Sequence, residues 1–121
     1  MPRKIKKQVK ERRKHPRLEN SFKVELCSVR YLLASNSLSS DISQDGVCLF
    51  SPFKMQIGEL VRLNIHLPEF NEAVSILGEV VRRNRTNDTK YPYMLGIKFT
   101  VVPPDALEKL KEHIRFYALI T

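Results

Sequence analysis

Residues 60–67 read LVRLNIHL, with apolar side chains at every second position and polar side chains between them. Side chains of a β-strand alternate between two faces, so this pattern predicts a strand with one buried and one exposed face. Pro68 follows directly and ends the strand, because proline cannot donate to a strand ladder. The fold must therefore offer a core to one face of a sheet.

Five further segments are typical of strands, although their alternation is less regular. The first of them has Phe22, Val24 and Leu26 on one face. The five predicted strands are Ser21–Val29, Tyr31–Leu38, Val47–Phe50, Val74–Arg85 and Tyr93–Val101. In the last strand the apolar residues alternate with Met94, Gly96, Lys98 and Thr100, which places Gly96 on an outward face without bulky side chains.

One helix is predicted, near the C-terminal end. It opens with Pro103-Pro104-Asp105, because proline and an acidic residue suit a helix N-terminus. An apolar stripe follows at helical spacing, formed by Leu107, Leu110, Ile114 and Tyr117. Phe116 and Leu119 lie off that stripe, either as end effects or because they pack on a partner chain.

Six strands followed by one helix predict an all-β fold with one helix. We expect a small six-stranded antiparallel, Greek-key-like β-barrel, with the C-terminal α-helix against it or across one end. Closing the sheet removes its exposed edges. The 121 residues suit one domain with one core. We expect residues 1–11 to form a flexible basic arm and residues 12–121 to form the domain.

Composition excludes several classes of protein. A hydrophobic fraction of 42% is typical of a globular chain, and no apolar run approaches the roughly 20 residues of a membrane span. The N-terminus is too charged for a secretory signal, so we expect a cytoplasmic protein. Cys27 and Cys48 are expected to be reduced thiols, and the three histidines have no ligand spacing, so no metal or cofactor is expected.

Positive charge is concentrated at the N-terminus. Residues 1–17 contain nine Lys and Arg against Glu11, a net charge of +8, which equals the net charge of the whole chain. The remaining residues contain twelve basic and twelve acidic side chains. Such an arm indicates a polyanionic partner, which can be nucleic acid, anionic lipid or a phosphate-bearing ligand. A solvated tail that aids solubility is the alternative.

The sequence offers little for catalysis. Ser43 lacks the flanking glycines of a nucleophile elbow, and no histidine is placed so that it can be argued to activate this serine. Asp41 and Asp45 form a carboxylate pair in sequence, but acidic residues beside a glycine are commonly turn formers. No glycine-rich phosphate loop is present. We therefore predict that the protein is not an enzyme.

Two short motifs carry a family resemblance. Residues 13–17, RKHPR, match an RxxxR pattern, and residues 41–46, DISQDG, match a D/N-x-S-x-x-G pattern. Tyr93–Phe99 looks like the glycine-bearing last barrel strand of the same family. Together these features resemble the PilZ domain, a bacterial receptor for the second messenger cyclic di-GMP, over about residues 11–118. The resemblance implies a six-stranded antiparallel barrel that binds its ligand on the outer surface.

The residue chemistry agrees with such a ligand, which carries two anionic phosphates and two guanines. Arg13 and Arg17 can fork onto a phosphate or onto guanine O6 and N7. Asp41 can accept the N–H groups of the guanine Watson–Crick edge, and Ser43 can donate to a phosphate or accept from a base. Gly46 is expected to allow a close approach and to take a positive φ.

Finer expectations concern stoichiometry and the last strand. The resemblance implies that the residue before RxxxR influences the number of bound ligands. Here that residue is Arg12, from which we predict an intercalated pair of cyclic di-GMP molecules per domain. Gly96 is expected to leave room for a guanine and Met94 to contact it. Stacking at Met94 should be weak, because some relatives carry an aromatic residue there.

The predicted mechanism is an ordering of the arm. Ligand phosphates neutralise Arg12, Arg13 and Arg17 and draw the arm onto the barrel wall, which changes the interaction with an unidentified downstream protein. A nucleic-acid-binding barrel with a basic arm is the main rival, although the neutral body does not favour it. A scaffold-only PilZ domain that has lost ligand binding is a second rival.

Overall fold

The computed structural model describes residues 22–30 and 34–120 of the chain, with backbone only for residues 117–120. The predicted arm, residues 1–11, lies outside the described residues. So do Arg12, Arg13 and Arg17, and so does the start of the second predicted strand, residues 31–33.

The described part of the chain contains six strands and one helix. In chain order they are β1 (Lys23–Ser28), β2 (Ala34–Ile42), β3 (Gly46–Ser51), β4 (Leu60–Ile65), β5 (Val74–Arg85), β6 (Tyr93–Val101) and α1 (Pro104–Ile120). The predicted bounds of β5 and β6 are confirmed residue for residue, and those of β1, β3 and β4 agree within two residues.

The strands close into an antiparallel barrel in the order β1-β2-β3-β6-β5-β4, with β4 pairing back onto β1. Strands β1, β2 and β3 follow one another as neighbours, and the chain then crosses over to place β4 beside β1. That spatial order, 4-1-2-3, defines a Greek key. The predicted fold class is therefore confirmed.

Alternation separates the core from the outer wall. On β4, Val61, Leu63 and Ile65 are fully buried while Arg62 between them is exposed. On β1, Val24 and Leu26 are buried in the same way. Four serines of the described strands are also buried, namely Ser28, Ser37, Ser39 and Ser51.

Strand β2 ends farther along the chain than predicted. The prediction ended at Leu38, but the strand runs from Ala34 to Ile42 and the turn that follows is only Ser43–Asp45. Most of β2 is polar, so its sequence gives little sign of a strand. Pairing with β1 on one side and β3 on the other holds it in place.

A buried methionine lies in the connection from β3 to β4. The carbonyl oxygen of this residue, Met55, accepts a hydrogen bond of 2.9 Å from Nη1 of Arg83. The same connection contains Gly58, whose φ is +93°. A side chain is strained at such a φ, so glycine suits this turn.

Helix α1 packs on the barrel, and its buried face differs from the prediction. Ala106, Leu110 and His113 are buried, whereas the predicted stripe residues Leu107 and Ile114 are only partly covered. Burial of the polar His113 ring is tolerated because Nδ1 lies within hydrogen-bonding distance, 2.8 Å, of a carboxylate oxygen of Glu69. The ring of Phe22 meets the His113 ring edge-on at 5.2 Å, so the helix also touches the residue that precedes β1.

The inward-facing positions of β6 end at Phe99, although the alternation predicts that they continue to Val101. Val101, predicted to face inward, is 53% exposed. The register between β5 and β6 shifts between Leu77 and Gly78, and Leu77 pairs with Val101 on the outside of the barrel. A bulge of this kind moves side chains from one face to the other.

Gly46 is required by a close contact and not by its backbone angle. Among the described residues only Gly58 has a glycine φ in the positive range, so the positive φ predicted for Gly46 is wrong. Gly46 starts β3 opposite Lys98 on β6, and an added Cβ would collide with the carbonyl oxygen of Ile97. The missing side chain allows the two backbones to approach.

We expect Gly46→Ala to lower the free energy of unfolding by about 3 kcal/mol, because the methyl group must push apart two paired backbones. Gly58→Ala is the control. An added Cβ there meets no atom within 4 Å, so it carries only the strain of its φ, about 1 kcal/mol. Urea unfolding of both variants tests the difference; equal destabilisation would contradict the close-contact explanation.

Glu25 and His66 form a pair on the outer wall. The Nε2 atom of His66 lies 3.2 Å from Oε1 of Glu25, and Lys23 lies near the same carboxylate. The hydrogen bond from His66 and its positive charge lower the pKa of Glu25 below its ordinary value of 4.5. The folded state therefore favours the ionised carboxylate.

A lowered folded-state pKa stabilises the protein above the unfolded value and loses that contribution as pH falls through the folded pKa. We expect the stability difference between the wild type and Glu25→Gln to be present at neutral pH and to shrink below about pH 4.5. Carbon-detected NMR titration of Glu25 should give a pKa below 4.5 that rises in His66→Gln. A Glu25 pKa unaffected by His66→Gln would show that the assigned cause is wrong.

Candidate functional site

A shallow cavity of about 590 Å³ lies on the outer barrel wall, beside the turn Ser43–Asp45. Four adjacent strands, β2, β3, β6 and β5, form its floor and edges. Its volume falls within the usual range of small-molecule sites, but it is open to solvent. The barrel interior is filled by side chains, so a small-molecule ligand would have to bind on the outer surface.

The cavity brings together four of the residues that the sequence singled out. Asp41, Ser43, Gly46 and Gly96 all line it, although Gly96 lies 50 residues after Gly46. Met94 does not line it, because it lies one outward position farther along β6, opposite Phe50. Arg12, Arg13 and Arg17 lie outside the described residues, so their positions relative to the cavity stay predictions.

A bulge in β2 turns Asp41 outward. Ser39 faces the core opposite Leu49, and the next paired residue is Asp41, opposite Cys48. The register shift at Ser40 leaves the Asp41 side chain exposed on the outer wall. A carboxylate in this position can accept hydrogen bonds from a ligand that lies on β3.

Ser43 already takes part in the turn. Its hydroxyl accepts a hydrogen bond of 3.2 Å from the backbone N–H of Asp45 and lies 3.4 Å from the carbonyl oxygen of Gly46. Its backbone N–H donates to the same carbonyl at 2.9 Å. The contact at 3.4 Å is long for a hydroxyl donor, so the hydroxyl proton can turn to a ligand without great loss.

Two basic residues of the cavity were not predicted from the sequence. Arg82 on β5 and Lys98 on β6 both line it, and both are exposed. A signal for Arg82 was present, because the adjacent apolar residues Val80 and Val81 break the alternation of β5. That break indicates a bulge, and beyond a bulge the side chains that would otherwise point inward point outward.

The charges that line the cavity balance. Asp41 and Asp45 contribute two negative charges, and Arg82 and Lys98 contribute two positive charges. Among the described residues, the wall therefore has no net attraction for an anion. A polyanionic ligand would need additional cations from elsewhere in the chain.

The chain enters the barrel beside this cavity. The backbone N–H of Phe22 donates to Oγ of Ser39 at 3.1 Å, and the N–H of Ser39 donates to the carbonyl oxygen of Phe22 at 3.0 Å. Ser39 lies two residues before Asp41. A smaller hollow of about 180 Å³, bordered by Phe22, Asp41 and His113, lies between this entry point and the cavity.

Two other kinds of feature are absent from the described part of the chain. No group of three or more His, Cys, Asp or Glu side chains there is arranged to hold a metal ion. No helix there is long and apolar enough to cross a membrane.

Comparison with solved structures shows the same fold. The PilZ domain of YcgR from Escherichia coli, determined with c-di-GMP, matches with a TM-score of 0.60 and 14% identity, over 83% of this chain and 82% of that one. The PilZ domain of CeSA from a cellulose-synthesizing bacterium matches with a TM-score of 0.55 and 16% identity, over 84% and 94%.

The inhibitor of motility MotI/DgrA from Bacillus subtilis matches with a TM-score of 0.64 and 19% identity, over 81% of this chain. This chain spans only 47% of that protein. No curated protein sequence matches significantly. The model of one sequence family, described as the PilZ domain, matches residues 11–116, which include both short motifs. The chain belongs to the PilZ domain family.

Proposed function

We propose that this protein is a receptor for cyclic di-GMP that acts without catalysis in the cytoplasm and passes its signal to a separate protein. The observation that carries the proposal is the outer cavity, in which Asp41, Ser43, Gly46 and Gly96 meet beside the point where the N-terminal arm joins the barrel. Support also comes from the fold shared with the YcgR domain, whose structure contains c-di-GMP.

In this proposal the arm, together with the adjoining residues 12–17, supplies the charge that the cavity lacks. The wall carries two acidic and two basic residues. It can therefore form specific hydrogen bonds with a dinucleotide, but it exerts no net electrostatic attraction on one. Arg12, Arg13 and Arg17 would supply three positive charges against the two phosphates of one ligand or the four of an intercalated pair, so the balance would lie within one charge of neutrality. Guanidinium groups suit this role because they bind phosphate through two parallel hydrogen bonds.

The arm is long enough to reach. Arg17 is five steps along the chain from Phe22 and Arg13 is nine steps from it, which allows at most about 18 Å and about 32 Å of extended chain. Because β1 and β2 are antiparallel, an arm continued in the direction of β1 would run beside the end of β2, towards Asp41. Both arginines can therefore face the cavity.

Each barrel residue has a role that its position allows. Asp41 is exposed on the outer wall and would accept the N–H groups of a guanine. Ser43 would donate to a phosphate, and Gly46 holds the strands close enough to shape the floor. Gly96 would keep the floor of the cavity low where β6 crosses it, while Met94, just outside the cavity, would contact a base only at its edge.

Calorimetric titration with cyclic di-GMP at moderate salt tests the site. We expect Arg13→Ala, Arg17→Ala and Asp41→Ala each to weaken binding by at least about tenfold, because each removes a charge-assisted hydrogen bond. Lys6→Ala is the matched control, since it removes one arm charge outside the motif. If all arm substitutions act equally and binding declines smoothly with salt, the protein binds polyanions non-specifically, as a nucleic-acid-binding barrel would.

The same titration gives the number of ligands bound. We expect two cyclic di-GMP molecules per chain at saturation, as an intercalated pair, because Arg12 adds a third guanidinium to the motif. One ligand per chain would contradict this expectation without removing the receptor function.

Ligand should also order the arm. We expect hydrogen exchange over residues 5–18 to slow when cyclic di-GMP is added, since phosphate neutralisation would draw the arm onto the wall. Asp41→Ala serves as the control, because it should abolish the slowing while leaving the arm sequence intact. Unchanged exchange in the wild type at saturating ligand would rule out arm ordering as the switch, and the response would then need another route to the downstream protein.

A further inference from the structure

One row of residues crosses the whole floor of the cavity. Asp41 on β2 pairs with Cys48 on β3, Cys48 pairs with Gly96 on β6, and Gly96 pairs with Arg82 on β5. Three strand spacings separate the ends of this row, which is about 14 Å. The two middle residues are small, so a carboxylate and a guanidinium face each other across a low floor.

A bulge sets each end of the row. In β2 the register shifts between Ser39 and Asp41, and in β5 it shifts between Val80 and Arg82. Val80 is buried opposite Ile97, so without the shift Arg82 would point inward. Bulges re-aim side chains and are frequent next to functional sites. Here two of them direct opposite charges into one cavity.

Arg82 rests on Gly96. A Cβ placed on Gly96 would lie 3.2 Å from Cβ of Arg82 and 3.5 Å from both Nε and Nη2. These two nitrogens form one edge of the guanidinium, so that edge lies directly over β6. Although Gly96 faces outward, it is buried beneath this side chain. A larger residue at Gly96 would displace the guanidinium from the floor.

Arg82 has no acidic partner in the part of the chain that the structure describes. Within residues 22–30 and 34–120, no carboxylate lies within 4.0 Å of its guanidinium. A well-placed cation held on a glycine, without a protein anion to bind, has its hydrogen-bonding capacity available for a ligand. Arg83 differs, because it is committed to the carbonyl oxygen of Met55.

We propose that Arg82 is a ligand-binding residue contributed by the barrel itself, seated on Gly96 and facing Asp41 across the cavity. This inference rests on the proposed binding of cyclic di-GMP. The Nε–Nη2 edge binds a pair of acceptor atoms, which in this ligand is either two oxygens of a phosphate or O6 and N7 of a guanine. About 10 Å, two strand spacings, separates the Asp41 strand from the guanidinium over β6, which leaves room for a planar base between them.

Titration with cyclic di-GMP tests this role. We expect Arg82→Ala to weaken binding by about 10- to 100-fold and Arg82→Lys by about tenfold, because lysine keeps the charge but loses the fork. Arg62→Ala is the matched control. It removes an exposed strand arginine outside the cavity and should change affinity less than twofold.

The outcomes separate this inference from the proposed function. If the wild type does not bind cyclic di-GMP, the proposed function fails. If the wild type binds and Arg82→Ala binds equally well, only the role of Arg82 is overturned. A loss in Arg82→Ala no larger than that in Arg62→Ala overturns it as well, since general charge would then explain both.

A double-mutant cycle tests whether Gly96 supports the Arg82 side chain. If Gly96 acts by supporting Arg82, Gly96→Ala should weaken binding by tenfold or more in the wild type and by less than twofold in Arg82→Ala. Multiplicative losses would overturn the seating of Arg82 on Gly96. Titration with cyclic di-GMP that has carbon in place of guanine N7 then identifies the acceptor. If this analogue weakens binding to the wild type but not to Arg82→Ala, Arg82 binds the guanine edge. If it weakens binding to both proteins by the same factor, Arg82 binds a phosphate.

Discussion

Strict alternation of side chains between two faces is the constraint on which this structure depends. In a closed barrel one of those faces is sealed, and here it is filled by branched apolar residues such as Val61, Leu63 and Ile65. No space for a dinucleotide remains inside. Any binding function must therefore be built from the outward positions, where alternation allows only every second residue of each strand.

Bulges are the means by which this chain departs from alternation. Shifts in β2 and β5 turn Asp41 and Arg82 onto the outer wall, and the closeness of Gly46 to Ile97 holds β3 against β6 between them. These features occur in the four strands that border the cavity. On their inner face β3, β5 and β6 carry buried apolar residues such as Leu49, Val80 and Leu95, which stabilise the barrel that supports the irregular part.

Much of the fold could be predicted because alternation is a local property. The patterns around Leu63 and Ile97 depend only on neighbouring residues, and both strands were found. Burial of His113 could not be predicted, because its partner Glu69 lies 44 residues away and only the folded helix brings them together. The end of the polar strand β2 was predicted too early for a similar reason, since pairing with its neighbours holds the strand in place. In the site, Asp41 and Ser43 were marked by a motif, whereas Arg82 depended on a register shift.

The balanced charges of the cavity wall have a consequence for how such a receptor can be tuned. Under the proposed function, attraction for the ligand comes from arm residues that precede Phe22, while selectivity comes from side chains fixed on the barrel. Substitutions in the arm would change the concentration at which the protein responds, and they would leave the packing of the core untouched. Sensitivity and thermodynamic stability, which are usually coupled when a site is built into a core, can then vary independently in this chain.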